Sequence, residues 1–451
     1  MDFEDTIVAV ATPYGESALA VIRLSGPLVS ELAESAFCKT LQARKATYTS
    51  YRDLGGEAVD DVVATYFKGP ASYTGQDLLE ISCHGSPFVT RRIIDDCLAR
   101  GCRSAEPGEF TQRSFRNGKM DLSQAEAVIE LIHAQSESAR KIALSQVGGL
   151  VSRTVSELTD SLLLALAQLE AYIDFPEEDL PDEDSSGPLQ MLGRLSDKLE
   201  ALADTSKYRA LFTEGIKTVF VGAPNAGKSS LLNAFIGENR ALVSEVAGTT
   251  RDYIREQFNL GPFGIQILDT AGLRDGAQDK IEQMGIERTI EQVERADCIL
   301  WVVDGESPSL QIPDEVKRKM GDAFTYVLVN KGDSEYLKPV ESDELPYPSF
   351  IVSAKSGDGI SEFQSKWLAD LEARLPDYGS ESVIVSARHE AALRESIHCL
   401  DAAKQKLLDD APVELAVSDI REAMEALGKI VGKIDNERML DQLFNHFCIG
   451  K

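Results

Sequence analysis

The chain has 451 residues, of which 43% are hydrophobic and 27% are charged, values typical of a folded globular protein. At about one domain per 150 residues, this length suggests roughly three domains. The formal net charge of −28 argues against nonspecific nucleic-acid binding, because the summed field repels phosphate. A polynucleotide substrate would need a local basic patch or a basic partner, and the sequence alone reveals no such patch.

Cysteine usage and the apolar pattern indicate where the protein works. The seven cysteines are scattered and include no Cys-x-x-Cys pair, which fits a reducing compartment. The opening segment MDFEDTIVAV is acidic where a signal or transit peptide is basic. No apolar run approaches the ~18 residues of a membrane span. We therefore expect a cytoplasmic protein that does not bind membranes.

The N-terminal part of the chain combines strand and turn patterns. Short β-branched runs at 6–12, 18–26 and 78–86 alternate with turn residues. This pattern predicts an α+β domain over residues 1–118.

Helical spacing of apolar residues begins at Leu122 and resumes after an acidic, proline-bearing stretch at 174–188, which predicts a solvated loop. A further helical stripe follows the middle of the chain. Each helical segment leaves an apolar stripe that the other can cover. We therefore expect residues 119–210 and 377–451 to form one discontinuous α-helical domain, with residues 211–376 inserted as an α/β P-loop, Ras-like domain.

The inserted segment opens with a phosphate-binding pattern. GAPNAGKS at 222–229 follows an apolar strand and precedes a helical run, the context that Gly-x-x-x-x-Gly-Lys-Ser requires. The backbone N–H groups of such a loop surround phosphate oxygens, Lys228 can reach the β and γ phosphates, and the Ser229 hydroxyl can bind Mg²⁺.

Two further motifs follow in the order that a nucleotide switch requires. GTTRD offers Thr250 as a second Mg²⁺ ligand. DTAG ends an apolar strand, so that Asp269 can hold the metal through water and the Gly272 amide can sense the γ phosphate. Each motif alone could be an ordinary turn, but together they indicate a nucleotide site.

The base is predicted by NKGD at 330–333, which follows the strand TYVLVN. The Asp333 carboxylate can accept two hydrogen bonds from the donor edge of guanine. Adenine lacks that edge, and sites built on such pairing reject the wrong partner by roughly 10⁴ or more. SAK at 353–355 completes the pocket. The sequence therefore predicts GTP as the ligand, and a GTPase.

One position departs from the Ras-like pattern. Leu273 follows DTAG where Ras-like GTPases place the glutamine that orients the attacking water, and an apolar side chain cannot do this. The acidic stretch IEQMGIE at 281–287 is the nearest source of a replacement, with Glu282 as one candidate. The sequence also shows no residue identifiable as an arginine finger. That positive charge would be supplied in trans or replaced by another cation.

Several stretches together resemble the MnmE (TrmE) tRNA-modification GTPases over the whole chain: GAPNAGKSSLLNAFIG, VAGTTRD, DTAGLR, YTGQDLLEISCHG and the terminal FCIGK. The resemblance implies formation of a carboxymethylaminomethyl or aminomethyl group on carbon five of the wobble uridine of certain tRNAs. The carbon would come from a tetrahydrofolate derivative, 5-formyl or 5,10-methylene. A homodimer is implied, with an FAD-binding MnmG-type partner in a heterotetramer or larger assembly.

The resemblance also implies site residues. The folate contacts would be Arg23, Glu80, Lys119 and Lys451. The K⁺ ligands, which replace an arginine finger when the GTPase domains dimerise, would be Asn225, Ser244, Val246 and Thr249. The nucleotide contacts would be Asn225, Ala226, Gly227, Lys228, Ser229, Ser230, Ser244, Glu245, Val246, Ala247, Gly248, Thr249, Thr250, Asp269, Thr270, Ala271, Gly272, Asn330, Lys331, Asp333, Ser353, Ala354 and Lys355. Glu282 would orient the attacking water.

Cys448 has two interpretations that the sequence leaves open. It is either a catalytic thiol close to Lys451 or a structural cysteine, since no neighbouring residue visibly lowers its pKa. Cys83 and His84 adjoin in sequence, but a continuing strand would place their side chains on opposite faces, which argues against a catalytic pair.

A GTPase switch for ribosome assembly is the competing function. Such switches carry a basic RNA-binding module with a Gly-x-x-Gly loop, whereas the flanking segments here are acidic. The sequence favours the tRNA-modification enzyme.

Overall fold

The computed structural model describes residues 4–174, 186–238, 257–268, 290–309, 317–318, 323–338, 347–376, 379, 382–432, 444, 447 and 450. Contacts within the chain divide it into two compact units. One comprises residues 1–129, 147–184 and 402–451, and the other comprises residues 130–146 and 185–401. The boundaries of the three domains that the sequence predicts are drawn differently and remain a prediction.

The first unit contains a six-stranded sheet in the order β3-β4-β5-β2-β1-β6, antiparallel except for the β1–β6 pair. Its strands are β1 (Ile7–Val10), β2 (Leu19–Ser25), β3 (Thr47–Arg52), β4 (Ala58–Phe67), β5 (Leu78–His84) and β6 (Arg103–Ser104). Alternate side chains point to opposite faces. Cys83 is accordingly buried and His84 exposed, as the sequence predicts.

Helices cover this sheet and form the remainder of the first unit. They are α1 (Val29–Phe37), α2 (Pro87–Ala99), α3 (Glu109–Arg116), α4 (Leu122–His133) and α6 (Leu150–Asp174), followed near the C-terminus by α12 (Val413–Val431). Ile22, Tyr51 and Ile93 belong to the core between the sheet and α1 and α2. The apolar stripe of α6 packs against α12.

The second unit contains a largely parallel six-stranded sheet in the order β12-β11-β10-β7-β9-β8, in which only β8 is antiparallel. Its strands are β7 (Ile216–Val221), β8 (Gln257–Leu260), β9 (Phe263–Ile267), β10 (Cys298–Asp304), β11 (Phe324–Asn330) and β12 (Ser349–Ile351). The strand β10 is buried on both faces up to Asp304, as expected for a parallel sheet covered on two sides.

The helices described in the second unit are α5 (Glu137–Val147), α7 (Ser186–Ala203), α8 (Ser206–Thr213), α9 (Lys228–Glu238), α10 (Ile360–Arg374) and α11 (Ala387–Leu408). The division between the units falls within α4 and within α11. Phe235 of α9 and Trp367 of α10 are buried in an aromatic core against the sheet.

The start of α7 corrects one sequence expectation. The predicted loop extends to residue 188, but the helix begins at Ser186. Pro188 is compatible with this start because proline lacks only an N–H group that the first helical turn leaves unpaired. No helix among the described residues is long and apolar enough to cross a membrane.

Candidate guanine-nucleotide and folate sites

The carboxyl ends of β7, β10, β11 and β12 meet at one edge of the parallel sheet, where open α/β sheets bind ligands. The loop after β7 carries the phosphate-binding pattern. Gly222 approaches the carbonyl oxygen of Val302 so closely that a Cβ would lie 2.1 Å from it. A glycine is therefore required at this position, which explains the first glycine of the motif.

The loop ends at α9, whose first residue is Lys228. The Lys228 Nζ donates hydrogen bonds to the carbonyl oxygens of Gly222 and Ala223, at 2.8 and 2.9 Å. Burial lowers the pKa of this amine below its usual value, because removal from water disfavours the charged form. An anion bound here would favour the charged form, and the N-terminus of α9 adds a favourable dipole.

Asn330 joins the phosphate loop to the base-reading segments. This residue is 3% exposed, and its Nδ2 donates to the Ala226 carbonyl oxygen at 2.9 Å. Its Oδ1 accepts from the Ala354 amide at 3.1 Å. A Cβ on Gly227 would lie 2.0 Å from the same Nδ2, so the close approach depends on glycine there. The Asn330 side chain therefore holds the phosphate loop, NKGD and SAK at a fixed spacing.

Asp333 is oriented by Ser353. The Ser353 hydroxyl donates to Asp333 Oδ1 at 2.6 Å and lowers the pKa of that carboxyl below its usual value. Lys355 lies farther away, with its Nζ 3.9 Å from Oδ2. The Asp333 carboxylate is therefore ionised and oriented by the Ser353 hydroxyl. A carboxylate that accepts hydrogen bonds from guanine needs both properties.

A second support, which the sequence analysis missed, holds Lys331. Its backbone adopts a left-handed conformation with φ 64°, which is uncommon for a residue with a side chain. The Nζ lies 2.7 Å from Asp304 Oδ2 and 3.2 Å from Glu306 Oε2, and these contacts raise the pKa of the amine. Ser334 donates to Glu306 Oε1 at 2.7 Å.

Replacing Glu306 with glutamine should speed GDP release about two- to fivefold, the range expected for a partly exposed ion pair. The physical reason is that one of the two charges holding Lys331 is lost, which loosens the segment 330–333. Stopped-flow release of a fluorescent GDP analogue measures this. The matched control is Glu335→Gln, which removes an exposed charge from the loop after β11, where Lys331 lies. Equal release rates in the two variants would contradict the supporting role.

A pair of opposite charges forms the predicted folate site in the first unit. The Arg23 Nε and Nη2 donate to Glu80 Oε1 at 3.0 and 2.8 Å, across the paired strands β2 and β5. Oε2 accepts no hydrogen bond from any residue that the structure describes. The Arg23 Nη1 donates to the Gly450 carbonyl oxygen at 3.1 Å.

Two aromatic rings flank this guanidinium, and sequence reasoning missed both. The Arg23 Cζ lies 5.6 Å from the ring centre of Tyr73 and 5.8 Å from that of Phe110, within cation–π range. Phe110 is carried by α3, which is fixed by the fully buried ion pair of Glu109 and Arg113 at 2.8 Å. The guanidinium thus has a defined orientation.

The structure does not bring every predicted residue to these sites. Lys119 is exposed and lies against Gly75, in the loop after Tyr73, with no described contact to Arg23. Lys451, Cys448 and Glu282 lie outside the described residues, as do 244–250 and 269–272. The roles assigned to these positions remain predictions.

Comparison with known proteins decides the family. A family model described as the MnmE helical domain matches residues 122–448, and one described as the GTP-binding protein TrmE N-terminus matches residues 6–119. The chain is 44% identical to the tRNA modification GTPase MnmE of Opitutus terrae over 99% of both chains. The chain belongs to the MnmE family of tRNA modification GTPases.

Other MnmE relatives are similar to this chain over their full length. The proteins of the same name from Akkermansia muciniphila and Aquifex aeolicus are each 40% identical, with at least 99% of this chain and 100% of theirs covered. As an MnmE family member, this chain is a GTP-binding enzyme that hydrolyses GTP, which confirms the enzyme class predicted from the motifs. The fold class is confirmed as well: an α+β N-terminal part, helices, and a P-loop sheet.

Proposed function

We propose that this MnmE-family chain is a K⁺-dependent GTPase that forms a carboxymethylaminomethyl or aminomethyl group on carbon five of the wobble uridine of certain tRNAs. The single observation that carries the proposal is the presence, in one chain, of an Asp333 carboxylate oriented by Ser353 and an oriented Arg23–Glu80 pair. A GTPase switch alone would have no need of the second site.

The proposed Mg²⁺ ligands are Ser229 and Thr250. Ser229 is the second residue of α9, directly after the half-buried Lys228, and this position in the first turn of the helix supports the assignment. The metal would neutralise charge on the phosphates during hydrolysis. Asp269 and Gly272 are proposed to hold the metal through water and to sense the γ phosphate.

The proposed K⁺ ligands are Asn225, Ser244, Val246 and Thr249. Asn225 supports this proposal by its geometry: it is exposed in the phosphate loop and adopts a left-handed backbone with φ 65°. Such a conformation is tolerated better by asparagine than by most residues. A monovalent cation there would supply the positive charge of the missing arginine finger, and Glu282 is proposed to orient the attacking water.

GTP hydrolysis should therefore be faster in KCl than in NaCl at equal ionic strength, by about tenfold or more, as for a single cation at a phosphoryl transfer site. Asn225→Ala should abolish the difference while leaving GDP affinity largely unchanged. Steady-state phosphate release in both salts measures this. The control is Asn259→Ala, at a partly buried asparagine of β8 remote from the loop's sequence. Equal wild-type rates in the two salts would refute K⁺ dependence.

The proposed folate site rests on Arg23 and Glu80, with Lys119 and Lys451 as further contacts. A carboxylate oxygen such as Glu80 Oε2 can read the donor edge of a pterin, and cations can hold the glutamate tail of a 5-formyl or 5,10-methylene tetrahydrofolate. The Gly450 carbonyl bonded to Arg23 supports a position for the C-terminal residues beside this pair. Cys448 is proposed as a thiol acting there.

The proposed assembly is a homodimer that works in the cytoplasm with an FAD-binding MnmG-type protein, in a heterotetramer or larger complex, on tRNA. Wobble nucleosides of tRNA from cells with and without this gene test the proposal. Loss of the modification without the gene is expected.

A further inference from the structure

Several stretches of this acidic chain contain no acidic residue, and two of them lie next to each other in the fold. The chain has 74 Asp and Glu among 451 residues, yet residues 35–52 and 62–76 contain none. The first stretch carries Lys39, Arg44 and Lys45, and the second carries Lys68. Because the two stretches are separate in sequence, the sequence alone does not show whether their cations lie on one surface.

The fold brings the two stretches side by side in the first unit. Thr47 pairs with Ala64 in the β3–β4 ladder, and Ala43 forms an isolated bridge with Tyr66. The Arg44 amide donates to the Tyr66 carbonyl oxygen at 2.7 Å. The intervening part of β4 rises about 3.3 Å per residue, so the two contacts with β4, at Ala64 and Tyr66, lie only about 7 Å apart.

The side chains of Lys39, Arg44, Lys45 and Lys68, together called the basic patch, are all exposed. None of the four forms an ion pair with a residue that the structure describes. Lys39 and Arg44 donate instead to the carbonyl oxygens of Tyr48 and Ala71, at 3.3 and 2.8 Å, which fixes them without neutralising their charge. Other exposed cations are neutralised, such as Arg91, which lies 3.7 Å from Asp95.

Two local features point to a ligand for the basic patch. Arg44 adopts a left-handed backbone with φ 61°, a strained conformation held by its bonds to Tyr66 and Ala71. Tyr48, whose carbonyl oxygen accepts from Lys39, is itself 72% exposed, and the nearby Asp61 carboxylate raises the pKa of its hydroxyl. Unpaired cations suit a nucleic acid because they bind phosphates, and the exposed ring of Tyr48 can stack on a base.

We propose that the basic patch binds the phosphate backbone of tRNA. The inference rests on the proposed function and adds to it the surface by which an acidic enzyme holds an anionic substrate. Because the whole chain has a net charge of −28, the surface outside the patch would repel tRNA and confine it to the patch.

The test compares two quadruple variants of the full-length chain. One replaces Lys39, Arg44, Lys45 and Lys68 with glutamine. The matched control replaces Arg91, Arg140, Lys366 and Arg421 with glutamine; these are exposed cations that each lie in a surface ion pair. Both variants lose the same charge, and so any difference between them reports the location of that charge.

Affinity for an unmodified tRNA transcript is measured without nucleotide, at constant Mg²⁺, over a series of NaCl concentrations. The patch variant should bind at least about tenfold more weakly, and the magnitude of its salt slope should fall by about three, since each phosphate contact contributes roughly 0.7–0.9. GTP hydrolysis and thermal unfolding should stay at wild-type values, because the four side chains are exposed and none belongs to the candidate GTPase site.

Equal tRNA affinity and salt slope in the two variants would overturn the inference. Binding of anionic lipid vesicles that is lost in the patch variant, with tRNA binding intact, would assign the surface to a membrane and would overturn it as well. Wobble modification in cells separates this failure from that of the proposed function. If wild-type protein restores the modification and the patch variant does so equally well, only the inference fails; if wild-type protein does not restore it, the proposed function fails.

Discussion

Replacing Asp333 with asparagine should weaken GTP binding on the order of 10⁴-fold and create affinity for xanthosine nucleotides. The carboxylate is proposed to accept from the donor edge of guanine, whereas an asparagine amide would place a donor against a donor. Xanthine carries an oxygen where guanine has its amino group, and that oxygen can accept from the amide. Ser353 holds the Asp333 side chain at 2.6 Å and would hold its isosteric replacement similarly.

Equilibrium titration with GDP, XDP and ADP measures the exchange of specificity. The control is Asp358→Asn, the same chemical change at an exposed residue of the neighbouring loop, where Oδ2 accepts from Ser356 at 2.6 Å. This control should keep its GDP affinity. An Asp333→Asn protein with unchanged preference for guanine would mean that the base is read elsewhere.

Replacing Arg23 with alanine should abolish wobble modification while leaving the rate of GTP hydrolysis unchanged. The guanidinium bonds Glu80 through two nitrogens and the Gly450 carbonyl through a third, so its removal releases both partners at once. We expect tetrahydrofolate affinity to fall by about 100-fold or more, as for a lost charge-assisted contact of roughly 3 kcal/mol.

Arg23→Lys separates the effect of the positive charge from that of the guanidinium geometry. A single ammonium group keeps the charge but cannot span Glu80 and Gly450 as the planar fork does, and lysine should therefore restore little activity. Arg91→Ala controls for loss of an exposed arginine in the same part of the chain. Calorimetry with 5-formyltetrahydrofolate and nucleoside analysis give the two readouts. Wild-type folate affinity in Arg23→Lys would show that charge alone suffices, and wild-type affinity in Arg23→Ala would remove Arg23 from the site.

The arrangement of the candidate guanine site was largely predictable from sequence, because its parts are contiguous motifs. GAPNAGKS, NKGD and SAK each follow a strand pattern, and parallel strands place their carboxyl ends at one edge. The supports of the motifs were not predictable in the same way. Glu306 is 25 residues from Lys331 and belongs to no motif, so only the pairing of β10 with β11 brings the two together.

The contacts around the Arg23–Glu80 pair were even less predictable from sequence. Arg23 and Gly450 are 427 residues apart, and no local pattern can report their contact. Tyr73 and Phe110 are conventional apolar residues in sequence, and only the fold places their rings beside a guanidinium. The basic patch was missed for a similar reason: its cations lie on two separate segments, and the net charge of the chain pointed the other way.

We propose that one chain couples a guanine-nucleotide site to chemistry on the wobble uridine. Mass spectrometry of nucleosides from purified tRNA, in a strain that lacks this gene, tests it most directly. The carboxymethylaminomethyl and aminomethyl uridines should disappear, return with the wild-type gene, and stay absent with Arg23→Ala. Unchanged wobble nucleosides in the strain without the gene would contradict the claim.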